Sequence, residues 1–326
     1  METIWEIGIT WNIFFQNLGS WLKTPMEAFS FLGTESFFLL LLPALYWCME
    51  ADIGLRVGII LLLSSSVNDA LKMVFHGPRP YWSGVNVIGY ARETSFGMPS
   101  GHAQIAFGVW GMLATSSRTW WGWLIAILII LLIGISRLYL GVHFPHDVIF
   151  GWLIGALLLW FVLRFWKPVT EWLKKMSLGQ QILASFLSSL MLILFSLIPF
   201  LWLKITNWQP PQAWTEYAKD AVSLSVAFTT AGTLFGLLAG LAWFNRQGGF
   251  DVTGALWKLI LRYVLGLVGV LVLYLGVKVL FGLIVPDVES VLLYVFRYIR
   301  YVLVGAWISA GAPWIFIKLK LAKKAA

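Results

Sequence analysis

Long apolar runs, separated by short polar or Pro/Gly-rich stretches, dominate the pattern of this chain. A helix needs roughly 20 apolar residues to cross a bilayer, and about nine windows of this kind can be marked. The predicted spans are residues 35–49, 57–75, 100–116, 119–136, 146–166, 181–203, 221–243, 259–284 and 291–317. We therefore expect an all-α fold, a polytopic integral membrane helical bundle of about nine transmembrane helices.

Composition excludes a soluble enzyme. Of the 326 residues, 60% are hydrophobic and only 12% are charged, which is about half the charged fraction of a soluble domain. A net charge of +8 would suit nucleic acid, but the bases stand singly between apolar runs, so no nucleic-acid partner is expected. The single cysteine, Cys48, excludes an intrachain disulfide and a thiolate metal cluster.

Lysines and arginines are concentrated in one set of connections between the predicted spans. This set contains Arg56, Arg118, Arg164, Lys167, Lys174, Lys175, Arg246 and the C-terminal lysines. Short cytoplasmic loops of membrane proteins carry an excess of Lys and Arg, so these connections are predicted to be cytoplasmic. With an odd number of spans, the N-terminus then lies outside and the C-terminus inside.

Candidate chemistry is confined to one third of the chain. All four histidines fall between positions 76 and 146, and unusual bases occur in the same region. Spans two and four leave the membrane on the side from which spans three and five enter, so the groups at these ends are expected at one outer interface. They are Lys72, Arg79, Ser100, Gly101, His102, Arg137, His143 and Asp147.

The cations of this set point to a phosphate. Lys72, Arg79 and Arg137 would converge near hydrocarbon, which is unfavourable unless an anion joins them. Arginine presents a planar fork that matches phosphate oxygens, and lysine adds a point charge. Ser100 and Gly101 begin a helix, so their backbone N–H groups can face the same anion.

The histidines supply a nucleophile and an acid–base group. His143 and Asp147 are four positions apart, which on a helix brings the carboxylate beside the ring. The carboxylate keeps one imidazole nitrogen protonated and leaves the other as a nucleophile. His102 would act as general acid on a leaving alkoxide and then as general base on water. This set predicts phosphoryl transfer through a phosphohistidine, with no metal or other cofactor because the three bases neutralise the phosphate charge.

These residues and spacings resemble the three-part signature of the type 2 phosphatidic acid phosphatases. That superfamily also includes bacterial acid phosphatases, sphingosine-1-phosphate phosphatases, glucose-6-phosphatases and vanadium haloperoxidases. The resemblance implies that His143 is the nucleophile, Asp147 its orienting acid, and His102 the general acid and base. It further implies that the phosphoryl oxygens are held by Lys72, Arg79, Ser100, Gly101 and Arg137.

The signature covers residues 72–147 and leaves the second half of the chain without a motif. We divide the chain into an interfacial N-terminal segment (1–30), a catalytic phosphatase transmembrane core (31–166) and a C-terminal transmembrane region of unknown role (167–326). In the first segment aromatic and polar residues alternate, which is typical of a helix in the membrane interface but also fits a loosely ordered terminus. No cleavable signal peptide is expected there.

Two features give different substrate predictions. Residues 75–82 and 136–146 look like the corresponding stretches of glucose-6-phosphatases. At position 147, however, glucose-6-phosphatases tend to carry an amide, whereas the lipid phosphatases carry an acid, as Asp147 does here. We expect a lipid phosphate or pyrophosphate, because a cation-lined pocket at head-group depth admits the phosphate while the tail stays in the bilayer. The expected partners are this substrate and membrane lipids, and a homo-oligomer is compatible with the pattern.

Three alternative functions stay open. They are a glucose-6-phosphatase-like hydrolase of a small soluble phosphate ester, a lipid phosphotransferase, and a non-catalytic membrane protein with a relic site. The expected location is a bacterial inner membrane with a periplasmic or extracellular active site. Residues 323–326 have the form of a dilysine retrieval signal, which gives the endoplasmic reticulum with a lumenal site as the alternative, although the positive-inside rule explains the same lysines.

Four residues near the signature have two interpretations each. Arg92 and Glu93 lie in the loop before the third span, where pairing with each other in water is preferred to a contact with a head group. Tyr81 and Trp82 would either line a substrate entrance or anchor the chain at the interface.

Three cations in the second half of the chain also allow two interpretations. Arg297 and Arg300 share a helix face at i, i+3 spacing, and Lys278 lies near the outer end of the preceding span. They would either form an accessory site for an anionic lipid or extend to the interface and pair with Asp287 and Glu289.

Overall fold

Helices make up the regular structure of this protein. The structure, a computed structural model, describes residues 2–83, 86–218, 220–284 and 291–325, and within these ranges it contains no strand. Asp287, Glu289 and Ala326, on which predictions above depend, lie outside the described residues. The α-helices are α1 (Glu2–Gln16), α2 (Lys23–Phe31), α3 (Glu35–Ala44), α4 (Ala51–Phe75), α5 (Gly101–Ser117), α6 (Trp120–Tyr139), α7 (Pro145–Lys174), α8 (Leu178–Ile205), α9 (Ser225–Arg246), α10 (Leu256–Ile284), α11 (Val291–Ala306) and α12 (Ala312–Lys318).

The predicted membrane spans coincide with these helices, but their number differs. In the described part of the chain, seven helices are long and apolar enough to cross a membrane, or eight if the bent pair Ser20–Phe31 and Glu35–Met49 forms one span. The window 100–116 corresponds to α5, whose 17 residues fall short of the roughly 20 that a bilayer needs. The all-helical membrane fold is confirmed, and the count of nine spans is not.

The chain divides into two compact units. The first comprises Met1–Phe38, Leu63–Arg164 and Phe195–Ser223, and the second comprises Leu39–Leu62, Phe165–Leu194 and Leu224–Ala326. All the predicted site residues, from Lys72 to Asp147, belong to the first unit.

Close packing of α5 against α7 brings two parts of the signature together. A Cβ atom on Gly151 of α7 would lie 2.6 Å from the carbonyl oxygen of Ser100, and one on Gly155 would lie 2.5 Å from that of Gln104. Small residues four positions apart let two helix backbones approach in this way. The backbone N–H of Ser100 consequently donates to the carbonyl oxygen of Asp147, at 3.0 Å.

A buried amide pair joins α4 to the start of α5. Asn68 Nδ2 donates to the carbonyl oxygen of Pro99 at 3.1 Å and to Gln104 Oε1 at 3.0 Å. Gln104 Nε2 donates in turn to the carbonyl oxygen of Ser64, at 2.9 Å. Because satisfied buried networks allow few alternative packings, these bonds fix the turn that begins α5 relative to α4.

The second unit is built around the α9–α11 pair. Gly232, Gly236 and Gly240 follow one another at four-residue intervals on α9. A Cβ atom on Gly232 would lie 2.5 Å from the carbonyl oxygen of Tyr298 in α11, so the two backbones are in close contact.

Candidate active site

Four consecutive helices, α4 to α7, bring the predicted residues to one end of the first unit. Each helix contributes near one of its ends, or through the loop that follows it, which places polar side chains where an apolar helix meets water. In chain order these residues are Lys72 in α4, Arg79 after it, Ser100, Gly101 and His102 at the start of α5, Arg137 near the end of α6, and His143 and Asp147 around the start of α7.

His143 and Asp147 form a buried pair. Nδ1 of His143 lies 3.4 Å from Oδ2 of Asp147, and both side chains are 1% exposed. The same Oδ2 accepts a hydrogen bond from the backbone N–H of Phe144 at 2.9 Å, while Oδ1 lies 3.3 Å from Nε2 of His146. This geometry holds the proton of His143 on Nδ1 and leaves the lone pair on Nε2.

Arg79 lies directly in front of that nitrogen. Its Nη1 is 3.2 Å from Nε2 of His143 and donates to the carbonyl oxygen of Val142 at 2.9 Å. Its Nε donates to the carbonyl oxygen of Ser95 at 2.7 Å, and its Nη2 donates to Ser95 Oγ at 3.0 Å and to the carbonyl oxygen of Phe96 at 3.1 Å. These bonds fix the fully buried guanidinium beside the imidazole.

Two further cations join Arg79. Lys72 Nζ donates to Ser95 Oγ at 2.7 Å, so Lys72 and Arg79 share one hydroxyl. Arg137 is 1% exposed and donates to Ser30 Oγ of α2 through Nη1. The structure therefore brings together the three predicted phosphate-binding bases.

Glu93 is a site residue that sequence reasoning missed. Its carboxylate pairs with Arg137 Nη2 and lies 3.7 Å from Arg79 Nη2. The hydroxyl of Tyr81 donates to the backbone carbonyl of Glu93 at 3.0 Å and accepts from its N–H at 2.9 Å. The interpretation of Glu93 as the solvated partner of Arg92 is wrong, because the contacts cross 44 positions of sequence and no local pattern marks them.

The electrostatics of the cluster favour an anion at its centre. Burial would raise the pKa of the Glu93 carboxyl, but the positive charges of Arg79 and Arg137 outweigh that effect and hold this pKa well below its usual range. Burial lowers the pKa of His143, and the charges of Arg79, Arg137 and Lys72 lower it further, well below its usual value. His143 is therefore neutral, and Glu93 ionised, at neutral pH.

The start of α5 contributes backbone groups and His102. Ser100 is the N-terminal cap of α5, and its Oγ accepts from the N–H of Ala103 at 3.4 Å. The serine hydroxyl thus caps the helix. Gly101 is tightly packed against α4, since a Cβ atom on it would lie 3.0 Å from Asn68 Oδ1. His102 stands in the first turn of α5.

The N-terminal segment supports the site, which sequence reasoning did not predict. Asn12 of α1 is fully buried, and its Nδ2 donates to the carbonyl oxygens of Leu138 and His143 at 2.8 and 3.0 Å. Gln16 Nε2 donates to the carbonyl oxygen of Tyr139 at 2.9 Å. α1 therefore holds the turn that presents His143, and the only sequence signal was an amide within an aromatic stretch.

Other residues near the signature have packing roles. Trp82 is 1% exposed and stacks on Tyr217 with ring centres 6.1 Å apart, so it neither lines an entrance nor anchors at the interface. His76 packs against Trp208 at 5.2 Å between ring centres. Within the described ranges, no group of three or more His, Cys, Asp or Glu side chains is arranged as metal ligands would be.

Curated relatives match part of this chain. Phosphatidylglycerophosphatase B of Bacillus subtilis (strain 168) is 30% identical over 168 residues, which cover 48% of this chain and 80% of the relative. Glucose-6-phosphatase 3 of Bos taurus is 33% identical over 190 residues, which cover 49% of this chain and 53% of the relative. The chain thus spans about half the length of the glucose-6-phosphatase 3 that it matches.

A solved structure and two family profiles are also similar. The crystal structure of a transmembrane PAP2 type phosphatidylglycerolphosphate phosphatase from Bacillus subtilis is 27% identical, with a TM-score of 0.46, covering 52% of this chain and 89% of that one. Residues 228–324 match the profile described as a PAP2 superfamily phosphatase, transmembrane extension. Residues 53–171, which include the whole signature, match the PAP2 superfamily. This chain therefore belongs to the PAP2 superfamily.

Proposed function

We propose that the chain is a metal-independent membrane phosphatase that hydrolyses a lipid phosphate or pyrophosphate through a phosphohistidine on His143. One observation carries this proposal. Nε2 of His143 has Asp147 behind the opposite ring nitrogen and the Arg79 guanidinium 3.2 Å in front of it. A phosphoryl group held by Arg79 would therefore lie beside a nucleophile that is already oriented for attack.

The reaction would proceed in two steps. Nε2 of neutral His143 attacks phosphorus, and the ester P–O bond breaks with its electron pair on the leaving oxygen, which takes a proton from His102. Water then gives a proton to His102 and attacks phosphorus, and the P–N bond breaks. Inorganic phosphate leaves, and His143 is neutral again. Asp147 stabilises the positive imidazole while the phosphoryl group is attached.

The three bases would hold the phosphoryl oxygens. Arg79, Arg137 and Lys72 are fixed by hydrogen bonds before substrate arrives, so little reorganisation accompanies the development of charge in the transition state. In many other phosphoryl-transfer enzymes, metal ions neutralise much of the phosphate charge. With Ser100 Oγ engaged in the helix cap, its contribution and that of Gly101 would come from backbone N–H groups.

A lipid substrate is supported by the position of the site and by a relative. The cluster lies at one end of α4 to α7, so a phosphate could reach it while an attached chain remains beside apolar helices. The Bacillus relative is named as a phosphatase of a phospholipid. The similarity to glucose-6-phosphatase 3 supports a second candidate, a small soluble phosphate ester.

We place the site on the extracytoplasmic side of its membrane. Arg118 lies between α5 and α6, at the end of α6 opposite to Arg137, so the basic connection and the site occupy different ends of the same helix. Under the positive-inside rule, the Arg118 end is cytoplasmic. A bacterial inner membrane is the preferred location, with the endoplasmic reticulum as the alternative.

A substrate panel with phosphoenzyme trapping tests the proposal. Purified protein in mixed micelles with EDTA would be given phosphatidate, phosphatidylglycerol phosphate, a prenyl pyrophosphate and glucose 6-phosphate. We expect release of inorganic phosphate from one lipid. Rapid quenching with labelled substrate should trap an acid-labile, alkali-stable phosphoprotein. Turnover of glucose 6-phosphate alone would favour the second candidate. Loss of turnover in EDTA would contradict metal independence.

The pH profile provides a first prediction. The acid limb of kcat/KM is expected below pH 6.5, the usual value for histidine, because burial and neighbouring cations lower the pKa of His143 and the nucleophile must be neutral. The measurement is kcat/KM from about pH 4.5 to 9 with two substrates whose phosphates differ in their second pKa. A limb at or above 6.5 that is the same for both substrates would contradict the prediction.

Replacing Glu93 provides a second prediction. Its carboxylate is the anion that Arg137 and Arg79 contact, so it competes with a bound phosphate for them. In Glu93→Gln, inorganic phosphate or vanadate should inhibit at roughly tenfold lower concentration, since one competing charge is removed. The exposed acid Glu27, replaced in the same way, serves as control. Weaker inhibition in Glu93→Gln would show instead that Glu93 positions the cations for phosphate.

A further inference from the structure

α11 of the second unit carries a buried cation. Arg300 is 9% exposed within the apolar segment Val291–Lys318. Its guanidinium carbon lies 5.0 Å from the ring centre of Tyr274 in α10 and 5.1 Å from that of Tyr301. Its Nε is buried without a hydrogen-bond partner. A charge buried within an apolar membrane segment is costly unless it meets an anion. A buried arginine of this kind therefore marks a functional site by default.

A second arginine lies one turn away. Arg297 is partly buried, and its Nη1 lies 3.5 Å from Thr229 Oγ1 of α9. Among the residues that the structure describes, neither arginine takes part in an ion pair within 4 Å. Two guanidinium groups on adjacent turns present a set of N–H donors that matches the oxygens of a phosphate.

An apolar cleft of about 430 Å³ lies on the C-terminal side of Arg300, between residues of α9, α10, α11 and the turn that follows α11. Leu303 of α11 lines it one turn after Arg300, and Trp307 and Ala310 line it from the π-helical segment Trp307–Gly311 that follows α11. Leu273, the neighbour of Tyr274, lines it from α10. The remaining lining residues are Gly240, Trp243, Ala306 and Gly311.

We propose that Arg300 and Arg297 bind the phosphodiester of an anionic membrane phospholipid, and that one of its acyl chains lies in this cleft. The order of the features matches such a ligand. The cations lie toward the Val291 end of the segment, and the apolar cleft lies toward its middle and beyond. Side chains on a helix lean toward its N-terminus, which brings the Arg300 guanidinium nearer to head-group depth.

The cleft favours a lipid over a free phosphate ion. A free ion would use the two arginines and leave the apolar surface unused, whereas a phospholipid would satisfy the cations and cover the cleft together. The site contains none of the signature residues, so the proposal does not depend on the proposed hydrolysis. It gives the transmembrane extension at residues 228–324 a role as an anionic lipid site.

The test uses the full chain, delipidated in detergent. Phosphatidylglycerol, phosphatidylcholine or inorganic phosphate is titrated while the unfolding midpoint and the lipid retained in native mass spectra are measured. We expect phosphatidylglycerol alone to raise the midpoint and to remain bound. In Arg300→Gln its apparent affinity should fall by about tenfold or more. In Lys175→Gln, which removes the same charge from an exposed position between α7 and α8, the affinity should stay at the wild-type value.

A second variant guards against misfolding of the first. Leu273 lines the cleft from α10, so Leu273→Trp should fill the cleft without any substitution on the helix that carries the two arginines. It is expected to lose retained phosphatidylglycerol while eluting as wild type in gel filtration. Equal retention by all variants, or equal binding of phosphatidylcholine, would overturn the proposal. An equal shift with inorganic phosphate would replace the lipid site with a free-ion site.

Discussion

Replacing His143 with alanine is expected to lower phosphate release by on the order of 10⁴-fold or more, because the proposed nucleophile is lost. Asp147 and Arg79 contact this imidazole, one at each ring nitrogen. The measurement is release of inorganic phosphate from the preferred substrate in mixed micelles, together with the amount of trapped phosphoprotein.

The matched control is His76→Ala. His76 is a histidine of the same unit that packs against Trp208 and has no contact with the three bases, so both turnover and phosphoprotein should be close to wild type. Phosphoprotein that persists in His143→Ala would assign the nucleophile to another residue. Turnover that persists without phosphoprotein would indicate direct attack by water.

Replacing Arg79 with lysine is expected to lower kcat/KM by roughly 10³-fold although the charge is kept. A lysine cannot contact two phosphate oxygens through a planar fork. It also cannot reach the carbonyl oxygens of Ser95, Phe96 and Val142 together. The unfolding free energy should therefore fall by about 3 kcal/mol, since two or three buried acceptors lose their donors. Steady-state kinetics and denaturation in detergent measure the two effects.

Arg92→Lys is the control for this substitution. Arg92 is exposed in the loop that carries Glu93 and Ser95, so the same chemical change should leave both quantities within about twofold or 0.5 kcal/mol of wild type. A rise in KM with kcat unchanged in Arg79→Lys would show that Arg79 binds ground state and transition state equally. A loss below tenfold would remove it from the phosphate site.

The helices could be predicted from the sequence because the pattern that marks them is local. An apolar run of sufficient length makes a membrane helix wherever it occurs, and each of the nine windows coincides with helical structure. The count of nine is not confirmed, because the 17 residues of α5 fall short of the roughly 20 that a bilayer needs. The signature residues were found because the residue types that bind phosphate or transfer protons follow one another at short, fixed spacings along the sequence.

What the sequence by itself determined was an all-helical membrane protein of this superfamily, with His102, His143, Asp147 and the bases as its candidate chemistry. Only the tertiary structure decided which distant polar groups meet them. It joined Glu93 to Arg137, Asn12 to the backbone of His143, and Arg300 to Tyr274. Such contacts depend on how helices and loops pack, and this packing joins residues whose separation along the chain leaves no periodic or spaced pattern to detect.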